Sequence, residues 1–171
     1  MAQYRLGEEY LTQHQPHLAV EPLQKAYHLS PQDHSILNAL QKALRQDGQD
    51  KEADEVKQQL SALLAQDEAD TLVDIKAVKL NNEGAQLQSA GDLHGALEKY
   101  AAASRLEPKN VPIRVNYAVA MLRLGNWTDG LNELRESLLL DPHNSKIRSA
   151  LRDALSQAPP GTAPEWKNEF K

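Results

Sequence analysis

Apolar and polar positions along this chain recur at a helical period. Apolar residues return every three or four positions over most of its length, which places them on one face of an amphipathic helix. Sustained alternation at period two is absent and Val and Ile do not cluster, so no strands are expected. The helical stretches come in pairs. In the clearest pairs, an apolar run is followed by a short Gly, Asp or Asn turn and by a second run that ends in Leu-x-Pro, as at Leu106-Glu107-Pro108. A turn that short allows only an antiparallel pair of helices.

The pairs repeat. The numbers of Pro108 and Pro142 differ by 34, as do those of Gly91 and Gly125, and of Leu106 and Leu140. The step from Pro31 to Pro108 is 77, and Gly7 to Gly84 and Leu29 to Leu106 give the same step. That offset is two periods of 34 plus nine. A fixed period in this range is the mark of a stacked repeat array. The expected organisation is two units over 1–67, a helical insert over 68–76, two further units over 77–144, a capping helix over 145–157 and a flexible tail over 158–171.

These residues resemble the tetratricopeptide repeat, whose pattern is W-x2-L-G-x2-Y, then A-x3-F, then P over about 34 residues. The first unit supplies Leu6-Gly7 and Tyr10, then Ala19, Leu23, Ala26 and Pro31. The third supplies Gly84, Leu87, Ala96, Tyr100, Ala103 and Pro108, and the fourth Tyr117-Ala118, Met121, Gly130, Leu134, Ser137 and Pro142. Small residues at Gly7, Gly84, Ala96, Ala118 and Gly130 let two helices approach, and Tyr10, Tyr100 and Leu134 fill the space beside them. The second unit departs most: Gln41 stands in a small position, Lys57 in a large apolar one and Ala65 where the proline belongs. The resemblance implies an all-α solenoid of helix-turn-helix repeats. In SKIRSALRDALSQ, Ile147, Ala150, Leu151, Ala154 and Leu155 share one face, as in a helix that gives such an array a polar outer surface.

From Gln49 to Glu83 there is neither Gly nor Pro. Asp50 can cap a helix there, with Glu52, Asp54 and Glu55 favourable near its positive end. This predicts one helix over about 51–89, fusing the second half of unit two to the first half of unit three, so that two lobes are joined by a rod. The alternative is a hidden turn near 66–70 with four repeats stacked normally. A two-repeat lobe leaves apolar faces open, so the fused reading carries the expectation of a homodimer or of a piece cut from a longer chain.

Composition narrows the chemistry. The 171 residues carry 19 Lys and Arg against 24 Asp and Glu, a net charge of −5, with a sequence pI near 5.7. A general nucleic-acid binder is basic instead. There is no Cys, which removes disulfides, thiolate metal sites and a Cys nucleophile. No segment approaches the ~18 apolar residues of a membrane span, and the N-terminal residues lack a signal-peptide core. Localisation is unassigned, with cytoplasm favoured over periplasm. The six histidines have no metal-ligand spacing, and no Gly-rich turn carries the Lys of a phosphate loop. No enzyme activity, cofactor or metal is expected.

The resemblance implies instead a groove lined by the first helix of each pair, in which a partner peptide or protein segment lies. By repeat position its residues are Asn81, Asn82, Gln88, Asn116, Arg123 and Lys146. Asn82 and Asn116 are one repeat apart and would form a short ladder of carboxamides, each offering a donor and an acceptor to a peptide backbone. The carboxylate clamp by which some relatives hold chaperone C-termini is not matched, because Asn81, Ala85 and Ala150 occupy three of its five places. Solvated polar residues on an exposed helix are the plain alternative for the groove set. For the whole chain the alternatives are a self-assembly module and an accessory arm of a larger enzyme.

Overall fold

A computed structural model describes residues 1–170, with side chains through residue 167. Among them are eight α-helices and no strand: α1 (Ala2–Thr12), α2 (Pro16–Leu29), α3 (His34–Gln46), α4 (Asp50–Ser89), α5 (Leu93–Leu106), α6 (Val111–Arg123), α7 (Trp127–Leu140) and α8 (Ser145–Gln157). A 3-10 turn, Glu165–Phe170, follows. The protein is an all-α helical repeat.

Local chemistry sets the helix ends. Asp33, Asp92, Asn110 and Asn144 stand before α3, α5, α6 and α8, and each side chain accepts from backbone N–H groups of the first turn. Such caps satisfy donors that the helix leaves orphaned. The turns α4–α5 and α6–α7 pass through Gly91 and Gly125 at φ 88° and 84°, a conformation that costs an L side chain roughly 1–2 kcal/mol. Helices α2, α5 and α7 each end on the Leu of a Leu-x-Pro; the proline lacks the N–H that would continue the helix.

Contacts divide the chain at Asp70 into two units. The first, Met1–Asp70, packs α1, α2, α3 and the start of α4 around Leu11, Leu23, Leu37, Leu40, Leu44, Val56 and Leu60. Gly7 and Leu23 are so close that a side chain at Gly7 has no room. The second unit, from Thr71 onward, holds three adjoining apolar clusters. Ala77, Ala103 and Ile113 form one, Ala96, Tyr100 and Ala120 another, and Ala118, Leu131, Leu134, Leu138, Ile147 and Leu151 the third.

Helix α4 is one 40-residue element. Every residue from Leu64 to Lys76 is exposed. Its first half contributes Ala53, Val56 and Leu60 to the first core, and its second half contributes Ala77 and Leu80 to the second.

After α8 the chain lies against α7. Thr128 Oγ1 donates to the Thr162 carbonyl at 2.8 Å, the Trp166 indole Nε1 donates to Asn132 Oδ1 at 2.9 Å, and the Arg135 guanidinium stands 5.2 Å from the Trp166 ring centre. Thr162 and Trp166 both belong to the segment expected from sequence as a tail; Lys171, the last residue of that segment, lies outside the described residues.

Candidate functional site

The second unit brings α4, α6 and α8 side by side. Asn116 Nδ2 on α6 donates to Asn81 Oδ1 on α4 at 2.9 Å. Each amide in such a pair has further bonding capacity: Asn116 keeps its carbonyl oxygen, and Asn81 its NH2. Asn82, the ladder residue expected from the repeat period, is exposed one position along.

Two clefts lie between α6 and α8. The first, of about 350 Å³, is lined by Val111, Val115, Asn116, Asp141, Lys146 and Ile147, among others. It thus joins two residues from the sequence-derived set, Asn116 and Lys146, to an apolar wall. Asp141 Oδ2 in its rim accepts from Asn144 Nδ2 at 2.9 Å. The second cleft, of about 360 Å³, is lined by Val119, Leu122, Arg123, Trp127, Ala150 and Asp153, with Ala154 and Gln157 beside them. Arg123 is exposed there. Each cleft pairs one cation with one carboxylate over an apolar floor, so the groove has no dominant sign.

Gln88 is half-buried on α4, and its Oε1 is enclosed without a hydrogen-bond partner. An unpaired enclosed acceptor costs roughly 1–3 kcal/mol. By repeat register Gln88 stands to Arg123 as Asn81 stands to Asn116, seven positions further along each helix.

The repeat pattern does not single out Trp127, which forms one end of the second cleft. Its signal is an aromatic directly after the Gly125-Asn126 turn, half-exposed where a helix start is ordinarily polar. Ala154 and Gln157 give no groove signal either, since the sequence places them on a helix whose evident duty is to cap the array.

Elsewhere in this unit Lys99 Nζ bonds Glu83 Oε2 at 2.6 Å. That hydrogen bond holds the Glu83 carboxyl below its ordinary pKa. Burial pushes the Tyr100 and Tyr117 hydroxyls up. Among the described residues no group of three His, Asp or Glu is placed to hold a metal ion, and no helix is long and apolar enough to cross a membrane.

Residues 87–154 match a family model described as a tetratricopeptide repeat. No curated protein matches the chain. Among solved structures, PilF of Pseudomonas aeruginosa is 23% identical over 91% of this chain and 67% of its own, with a TM-score of 0.43. YrrB, described as a TPR protein with an unusual peptide-binding site, is 12% identical over 98% of this chain and 80% of its own, with a TM-score of 0.48. The TPR2AB domain of yeast Sti1, in a complex with pHSP90, is 15% identical over 91% of this chain and 83% of its own, with a TM-score of 0.46.

Proposed function

We propose that this chain, a tetratricopeptide-repeat protein, holds an extended segment of a partner protein in the α4–α6–α8 groove of its second unit. The tetratricopeptide repeat is in general a non-catalytic protein-interaction scaffold, and the groove reading names where and how this one would bind. The observation that carries it is the pairing of Asn116 with Asn81 beside a cleft that Asn116 shares with Lys146, Val115 and Ile147. The carboxamide pair supplies a backbone-sized donor and acceptor, and the apolar walls take side chains. From Asn116 to Arg123 is seven positions, about 10 Å along α6. An extended peptide covers that in about three residues, so one side chain in each cleft fits a single bound strand.

The test is selection from a randomised twelve-residue peptide library displayed on phage, using the full chain, followed by titration of the selected synthetic peptides. Arg123→Ala and Lys146→Ala remove exposed groove groups without touching a core, and Asn116→Ala removes the carboxamide. Weakening by roughly 1–3 kcal/mol for Asn116→Ala, with smaller losses at the two cations, is the expected result. Selected peptides whose affinity ignores all three substitutions would place the binding surface elsewhere.

A further inference from the structure

Within the second unit, the opening stretch of α4 is apolar on every side. Ala77 is fully buried, and Leu80 packs with it against Ala103 and Ile113. On the side away from that cluster Leu72, Ile75 and Val78 are 60%, 59% and 50% exposed. A helix that is apolar all round is ordinarily covered all round. Further along the same outer side the chain turns polar, at Gln86 and Ser89. The uncovered apolar surface is thus a short patch at the start of this unit.

The residues of the patch follow a pattern. Ile75, Val78, Asn82 and Ala85 succeed one another at steps of three, four and three, and all are exposed. That is the alternation of a and d positions in a coiled-coil seam. Ile75 and Asn82 hold a positions, Val78 and Ala85 d positions. A β-branched residue at a favours two strands, and a single Asn at a fixes the register. Beside the seam, Asp74 falls at g on one flank and Lys79 at e on the other. Neither has an ion pair among the described residues. In a parallel pair each g residue meets the e residue five positions further on in the other helix, so Asp74 meets Lys79. An antiparallel pair that seats Ile75 on Val78 sets each flank against itself, Leu72 near Lys79 and Asp74 near Asn81, and matches no charge.

We propose that a second copy of this chain covers the patch. The two α4 helices pair in parallel about a two-fold that runs along the seam, with Ile75 on Ile75, Val78 on Val78 and Asn82 on Asn82. The Asp74–Lys79 pairing then occurs twice, as a two-fold requires. An acid on one flank and a base on the other of the same helix is what lets this surface complete itself with an identical one. Each Asn82 carboxamide offers a donor and an acceptor, so the two can bond across the axis. From Ile75 to Asn82 the seam is only about 10 Å long. The association is therefore weak and, with its charges exposed, salt-sensitive. Every residue it uses belongs to the second unit, and the groove residues Asn81 and Gln88 are not among them.

The test uses the full chain and two exposed substitutions, Asp74→Lys and Lys79→Asp, with circular dichroism to show that both stay helical. Sedimentation of the unmodified chain, from micromolar to millimolar concentration, should approach twice the chain mass of 19.0 kDa. Each variant alone sets like charges together and should keep the mass of one chain. An equal mixture of the two should regain the doubled mass, because Lys at 74 of one then meets Asp at 79 of the other. The absence of cysteine allows a second readout that does not depend on charge. Val78→Cys, on the seam, should oxidise to a disulfide-linked dimer roughly tenfold faster than Lys76→Cys, which points away from it. A single-chain mass at every concentration overturns the proposal and leaves the patch to a different protein. A doubled mass indifferent to both charge reversals overturns it too, as does equal cross-linking through Lys76→Cys.

Discussion

Gly84 on α4 faces the ring of Tyr100 on α5 so closely that an added Cβ would lie 2.9 Å from its Cδ1 and Cε1 atoms. Tyr100 is 2% exposed. Close-packed interiors respond to such an insertion by moving backbone. Gly84→Leu is therefore expected to lose about 2–3 kcal/mol or more, and Ala96→Leu, at a site with 0% exposure, a similar amount. Gln86→Ala, two positions away but exposed, should change stability by less than about 0.5 kcal/mol. Urea denaturation of the three variants decides; equal losses at buried and exposed positions would mean that the repeat register is wrong.

The relation between Gly84 and Tyr100 was legible in the sequence because both positions recur. Gly7 with Leu23, 77 residues earlier, makes the same small-against-large contact, and Gly130 stands as close to Leu122 at another position of the repeat, so small-against-large packing announces itself more than once. Helix ends were legible for the same reason, since Leu-x-Pro and the Gly turns encode a backbone event directly. Contacts between neighbouring helices were harder to read. The repeat period relates Asn116 to Asn82 and gives no sign of the hydrogen bond from Asn116 to Asn81, because adjacent helices are staggered and side chains lean toward their own N-terminus. Trp127 and Trp166 illustrate a second limit. Each owes its place to a neighbour brought near only by folding, Ala150 and Asp153 for the first, Asn132 and Arg135 for the second.

The Glu83–Lys99 bond gives a pH dependence of known sign. The hydrogen bond from Lys99 lowers the Glu83 pKa in the folded chain, so protons bind the unfolded state more readily. The contribution is complete above the ordinary carboxylate pKa and disappears as pH falls through the lowered folded value. Thermal unfolding between about pH 7 and pH 3 should therefore have a steeper acid limb in the native chain than in Glu83→Gln. Identical limbs would show that the pair is fully screened by solvent.

Trp166 ties the chain after α8 to α7 through its indole N–H on Asn132 and its ring under Arg135. Its ring also lies against the cluster that contains Leu131 and Leu151. Trp166→Phe should keep the ring contact and lose one neutral hydrogen bond, about 0.5–1.5 kcal/mol. Trp166→Ala should lose the cation–π contact and the apolar contact as well, roughly 2–3 kcal/mol in all. Amide hydrogen exchange in α7 is the measurement. Protection that is the same in both variants would mean that the segment contributes nothing to α7.

Ala69 lies in the middle of α4, within the run of exposed residues from Leu64 to Lys76. Its structural duty is helical: its N–H belongs to the ladder and donates toward Ala65. Proline there removes the donor, clashes with the carbonyl one turn back and costs about 3 kcal/mol in a helix interior. Glycine at the same site keeps the donor and costs about 1 kcal/mol. The apolar clusters do not include any residue between Leu64 and Lys76. The break should therefore stay local. Circular dichroism of Ala69→Pro is expected to lose the signal of a few helical residues, and Ala69→Gly almost none. Exchange protection should fall around positions 65–73 and remain native at Leu44 in the first unit and at Tyr100 and Leu134 in the second, each no more than 2% exposed. Protection lost at those three sites would show that the middle of α4 shares a core with them. Native helix content and native exchange in Ala69→Pro would show that the chain already turns at this point.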